Sequence, residues 1–167
     1  MNESKREYRV LPTETYFALV RQQLSESGQA FVRVTGTSMW PLLNHLRDGV
    51  TIVPAKRIRS GDIVLFDRQN GRYALHRVIR KGKDGFTMAG DNQWFMEFGL
   101  SYEQVVGVVS AIVRNGKIIP VDNLFMKIYA LALTGLAFPR IYLWKVVKYA
   151  VKPFHRHGNR QQKGEGQ

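Results

Sequence analysis

Apolar residues recur along this chain with two periods, and the change of period divides it. Over 13–27, Tyr16, Phe17, Leu19, Val20 and Leu24 fall on one broad face. That spacing predicts a helix packed on a core, with Thr13 as N-cap after Pro12 and Gly28 as its stop. From 31 to 120 the apolar positions come instead in short runs, 31–34, 50–53, 63–66, 73–79, 86–89, 105–113 and 117–119. Asp48-Gly49, Asn70-Gly71, Asp84-Gly85 and Asn115-Gly116 punctuate them, and the Asn-Gly pairs are hairpin signals because both residues tolerate positive φ. The pattern predicts a mainly β, antiparallel, barrel-like domain.

Past Pro120 the period becomes helical again. The run 128–138 is uncharged and stops before Pro139 after 11 residues, short of the ~20 that a spanning helix needs. After the proline, 141–151 is apolar except for Lys145 and Lys148, which share one face with Lys152, while Tyr142, Trp144 and Tyr149 suit an interface. This predicts a basic amphipathic helix lying on a membrane surface. From His155 onward no periodicity remains, and the end reads as disordered.

The 167 residues, 44% hydrophobic and 23% charged, suffice for one domain with appendages. The expected organisation is a helical extension over 1–30, a β domain over 31–120, an apolar and basic helical segment over 121–154, and a basic tail over 155–167. There is no cysteine, which excludes disulfides and thiol catalysis. Net charge is +12, and residues 140–167 hold seven Lys/Arg against one acid, so half of the excess lies at that end. Such an end suits an anionic surface. Residues 1–10 are polar and charged and no apolar stretch of signal-peptide type follows before Phe31. Membrane contact is therefore expected from the other end, through 124–152.

One stretch carries chemistry. Gly36-Thr37-Ser38-Met39-Trp40-Pro41 sets a serine between a strand end and a proline-forced turn, where its hydroxyl is held out of the backbone. A hydroxyl is a poor nucleophile until a base takes its proton and a third group orients that base. The segments 73–79 and 89–92 supply His76 and Asp91, in the order Ser, His, Asp. The strand period of two puts His76 on the face of Ala74 and Val78, opposite Leu75 and Arg77. Each residue also has a plainer role: Ser38 as a turn cap, His76 as a half-buried strand histidine, Asp91 as a turn residue in Gly-Asp-Asn. His45 is nearer Ser38 in sequence but falls in the polar segment 44–48, which reads as an exposed loop. His155 and His157 have no neighbouring acid and make a poor metal site. The glycines over 82–90 lack phosphate-loop spacing.

These residues resemble the signal peptidase I and LexA-like group of serine peptidases, whose nucleophile lies in a Gly/Ser-x-Ser-Met-x-Pro box. Gly61-Asp62-Ile63-Val64-Leu65-Phe66 is similar to the group's Gly-Asp-apolar strand, His76-Arg77-Val78 to its base-bearing strand, and Gly90-Asp91-Asn92 to its acidic loop. The resemblance implies that Ser38 attacks the scissile carbonyl and that His76 takes and returns the proton. Asp91, or Glu97 six positions on, would fix the imidazole, with Asp91 placed first. Most bacterial members carry lysine as base, and a lysine must be desolvated until its pKa falls by several units. A histidine starts near ~6.5 and needs only orientation, so it gains more from a nearby carboxylate. Gly36 stands where many signal peptidases have a serine that helps hold the oxyanion, which leaves that task to the backbone N–H groups of Ser38 and Thr37.

The substrate so implied is a leader or signal peptide, free or on a preprotein, with small residues before the cut. Water completes the reaction, so neither cofactor nor metal is called for. The roughly 30 residues before the β domain do not hold a helix-turn-helix, which disfavours a DNA-reading repressor. No RNA-binding motif is formed although Arg57, Arg59, Arg80, Lys81 and Lys83 add basic charge, so no nucleic acid is expected. The rival expectation is a non-catalytic protein of the same fold that binds a membrane partner or nucleic acid through its basic surface. The location expected is a peripheral membrane position or the cytoplasm.

Overall fold

The computed structural model describes residues 11–151, with side chains as far as Ala137 and at Pro139 and Tyr142. Helix α1 (Thr13–Ser27) is followed by β1 (Ala30–Arg33), β2 (Asp48–Val53), β3 (Ile63–Asp67), β4 (Tyr73–Lys81), β5 (Phe86–Ala89), β6 (Glu97–Leu100), β7 (Val105–Arg114) and β8 (Lys117–Pro120). Helix α2 (Leu124–Val151) ends the described chain. The strands form one antiparallel sheet in the order β1-β2-β7-β3-β4-β5-β6, with β8 also on β7, and the sheet is not closed. The long β7 holds it together. One edge carries β2, and the other is shared by β3 opposite Val105–Val108 and by β8 opposite Ala111–Arg114. Asn115 (φ 50°) and Gly116 (φ 76°) make the two-residue turn into β8, since only such residues take positive φ at both central positions without strain.

Strand β3 is buried on both faces, which is why it reads as an unbroken apolar run. Ile63 and Leu65 join a core with Val20 and Leu24 of α1 and Val50 and Ile52 of β2. Val64 and Phe66 join a second one with Val78, Phe86 and Met88. His76, on the first half of β4, thus stands beside a strand buried on both faces.

Four expectations change. Thr13 is the first helical residue and not the cap: Pro12 holds the cap position, without a side-chain bond, while Gly28 (φ 70°) ends α1 and donates its N–H to the Leu24 carbonyl. Strand β6 was not legible, because Glu97-Phe98-Gly99-Leu100 lacks alternation and its middle residues are exposed on an edge strand paired with β5. In place of two helices separated by Pro139 there is one, α2, with the proline inside it. Proline removes one N–H from the ladder at a cost of about 3 kcal/mol, and the hydrogen bonds on either side carry the helix past it. Its first turn is capped by Asn123, whose side-chain oxygen accepts from the Met126 N–H at 2.9 Å. The side chains of Trp144, Lys145, Lys148 and Tyr149, together with Lys152 and the tail 155–167, lie outside what is described.

The fourth change concerns 44–48. His45 is exposed, but Asp48 is fully buried at the start of β2. Its carboxylate accepts from Arg47, from Arg114 at 3.0 and 2.8 Å, and from the Asn44 N–H. Burial pushes its pKa up, yet the Arg47 and Arg114 guanidinium groups and the Asn44 N–H outweigh that and hold it well below the carboxylate range. The stabilisation is complete above the unfolded aspartate value of ~3.9 and disappears as pH falls toward the lowered folded value. We expect Asp48→Asn to lower unfolding stability by about 1–2 kcal/mol at pH 7, because the charge-assisted bonds from Arg114 and from the Asn44 N–H are weakened, while the part-exposed arginine left behind stays hydrated. The gap to wild type should narrow in urea titrations below pH ~3; a constant gap would rule out this linkage.

Candidate active site

Ser38 sits half-buried in the turn after β1. Gly36 there has φ 87°, a conformation that side chains other than glycine's resist, and its N–H donates to His45 Nδ1 at 2.8 Å. The turn is tightened by the Trp40 N–H to the Thr37 carbonyl and the Leu43 N–H to the Met39 carbonyl. Buried Met39 anchors it from below while Trp40 is exposed. His45 is thereby accounted for as a brace of this turn.

The loop after β5 presses on the same turn from the other side. Asn92 donates its N–H to the Ser38 carbonyl at 2.8 Å and its amide to the Thr37 carbonyl at 3.3 Å. A Cβ on Gly90 would come within 2.5 Å of the Ser38 carbonyl oxygen, so that position admits glycine alone. The Gly-Asp-Asn stretch therefore has a definite mechanical part: it seats the serine's backbone.

His76 lies on β4 opposite Val64 of β3 and is buried, with 3% of its surface exposed. Its Nδ1 stands 3.0 Å from Oε1 of Glu97, the first residue of β6. Glu97 is in turn gripped by Arg68, through Nε at 3.0 Å and Nη2 at 2.6 Å. The hydrogen bond from His76 lowers the Glu97 pKa; burial opposes it and Arg68 adds to it. An ionised carboxylate only accepts, so in the neutral imidazole Nδ1 carries the proton and Nε2 keeps its lone pair. That is the tautomer a general base needs.

Asp91 is held elsewhere. Both of its oxygens accept from Arg77 at 2.8 Å, and Arg77 also donates to the Gly61 carbonyl at 2.7 Å. Arg77 and Asp91 side chains are 3% and 1% exposed, so this is a buried pair, on the face of β4 opposite His76. The guanidinium also lies over the Tyr129 ring of α2, 5.4 Å from its centroid. The preference for Asp91 as the group that orients His76 thus meets a structure in which the acid against His76 is Glu97.

Ser38 and His76 line the same cavity, of about 250 Å³. Apolar Val32, Val34, Leu65 and Leu75 line it, with Arg68 and Gln93 among its polar residues. Among the described residues no cluster of three His, Asp or Glu side chains is placed to hold a metal ion. Phe17 of α1 and Tyr73 of β4, stacked on each other, also line the cavity, and neither they nor Arg68 stood out in the sequence as site residues. Arg68 sits in a turn with no motif of its own, and its pairing with Glu97 spans 29 residues.

A family model described as Peptidase S24-like matches residues 3–113, which takes in every residue of this site. Among curated proteins none matches the chain.

Proposed function

The chain belongs to the Peptidase S24-like family, and from that premise we propose that it is a serine endopeptidase of the signal-peptidase type, acting on leader or signal peptides. One observation carries the reading: a buried histidine, oriented by a carboxylate that an arginine holds, lines one cavity with a serine at a braced turn. Ser38 attacks the peptide carbonyl and His76 Nε2 receives the hydroxyl proton. Glu97 stabilises the imidazolium that forms, and His76 then protonates the leaving amine. The oxyanion falls to the backbone N–H groups of Ser38 and Thr37. Water takes the acyl group from Ser38 in the second half of the cycle.

Incubation with a library of unstructured peptides tests this by the new termini it creates. The wild-type protein should generate a restricted set of cuts, and Ser38→Ala none. Equal cutting by both proteins would dismiss the reading.

We further propose that α2 attaches the enzyme to an anionic membrane surface. Its docked face reaches the sheet through buried Ala137 and through Tyr129, while Leu124, Phe125, Ile128, Leu131 and Leu136 on other faces are exposed by 59–73%. By spacing, Lys145, Lys148 and Lys152 add a basic stripe. Among the described residues no helix is long and apolar enough to cross a membrane. The intact protein should sediment with phosphatidylserine vesicles, less so at high salt, and both truncation after Asp122 and Phe125→Glu with Leu131→Glu should abolish this. A folded Glu variant that still sediments would contradict the attachment.

A further inference from the structure

The two strands lining the cavity run the same way along it. On β1 and the turn after it the order is Val32, Arg33, Val34, Thr35, Gly36 and then Ser38; on β4 it is Tyr73, Ala74, Leu75, His76. Each offers an edge. The Val34 N–H is bonded to the Asp48 carbonyl next to β2, so the Arg33 amide, one residue away, faces outward. On β4, residues Tyr73–His76 pair with β3 on one side, while pairing with β5 begins only at Arg77. Strand edges of this kind take up extended peptides.

Helix α1 lies across the end of this groove remote from Ser38 and His76, pinned at three points. The Tyr16 hydroxyl accepts the outward N–H of Arg33 at 3.3 Å. The Phe17 ring stacks on Tyr73 with 3.6 Å between centroids and lines the cavity. Arg21 pairs with Asp67, at the end of β3, at 2.7 Å. The helix thus bridges from the β1 edge to the β3–β4 end and uses a backbone donor that a longer peptide would need.

We infer that α1 is an end stop that fixes how much substrate the groove takes, Tyr16 and Phe17 being the residues that set the limit. This rests on the peptidase reading. Tyr73 stands three residues before His76, so the groove admits about three residues, or ~10 Å at ~3.3 Å per residue, in extended form on one side of the cut. Beyond them the substrate chain turns away from the sheet. A volume of about 250 Å³ agrees with a short backbone segment, being below the ~300–1,000 Å³ of pockets that enclose compact ligands.

The test is a length series. Peptides built around an identified cut are extended one residue at a time, separately on its two sides, and kcat/KM is measured for each. For wild type, the gain on one side should cease after about the third residue. Tyr16→Phe keeps the ring but frees the Arg33 N–H, and should add a gain at the fourth. Tyr16→Phe with Phe17→Ala should continue to gain, by about tenfold at the fourth and fifth residues together. Phe17→Leu replaces Phe17→Ala if the latter lowers the thermal midpoint into the assay range. Gains that continue past the third residue on both sides in wild type, or an unchanged plateau in the variants, would overturn the inference while leaving the peptidase intact. A wild-type protein that cuts no peptide would overturn the peptidase reading and the inference with it, and is seen before any series begins.

Discussion

Alanine at Ser38 is expected to abolish peptide cleavage, lowering kcat on the order of ten-thousand-fold or more, and alanine at His76 to do the same. The two losses should not add, because the hydroxyl and the imidazole act as one unit and removing either ends nucleophilic attack. Stability should separate them. What ties Ser38 to its surroundings is its carbonyl, which accepts the Asn92 N–H, so Ser38→Ala keeps the turn and its thermal midpoint within a few degrees of wild type. His76 is 3% exposed and its loss leaves a space beside β3 and takes one of the partners from Glu97, which keeps Arg68, so His76→Ala should also unfold at lower temperature. Steady-state kinetics with thermal melts on the three proteins check both halves. A His76→Ala protein with full activity would remove the proposed base.

The second large effect divides the two acids. Glu97→Gln should lower turnover by on the order of a hundred- to ten-thousand-fold with little change in fold, because an amide permits the wrong tautomer and cannot offset the imidazolium charge. Asp91→Asn should act on stability, costing about 3 kcal/mol, since it leaves Arg77 buried without its counter-charge. Any loss of its activity should follow the fraction unfolded and recover on cooling. Glu97 is held below the ordinary carboxylate range by its bond from His76, so it remains ionised across the working range. The reverse ranking, with a folded but inactive Asp91→Asn and an active Glu97→Gln, would return the orienting role to Asp91.

Much of the β domain was legible because its strands are short and apolar and pairs such as Asp84-Gly85 and Asn115-Gly116 lie between them, whereas Asp48-Gly49, read as punctuation, opens β2 itself. The serine box, the histidine strand and the Gly-Asp-Asn loop stood out for the same reason, as local patterns. What could not be read was which acid meets which base. Asp91 and Glu97 are six residues apart, but the loop between them places one against Arg77 and the other on the edge strand β6 beside His76. The alternation rule already put Arg77 and His76 on opposite faces of β4; that each face would choose a different carboxylate depends on the β5–β6 connection, where Trp94-Phe95-Met96 carries no regular period. Arg68 and α1's contacts with Arg33 and Tyr73 are long-range for the same reason. Pro139 misled in the opposite sense, because a strong local signal was overridden by the hydrogen bonds of a 28-residue helix.

The central claim is that Ser38 is the nucleophile, and the covalent intermediate tests it most directly. A peptide that the protein cleaves is mixed with it, the reaction is quenched in acid before a turnover is complete, and the digested protein is mapped by mass spectrometry. The mechanism predicts that the acyl half of the peptide is found on Ser38, that it is absent from Ser38→Ala, and that Glu97→Gln slows its formation. Cleavage that proceeds with no acyl group on the protein, or with the group on another residue, would contradict it.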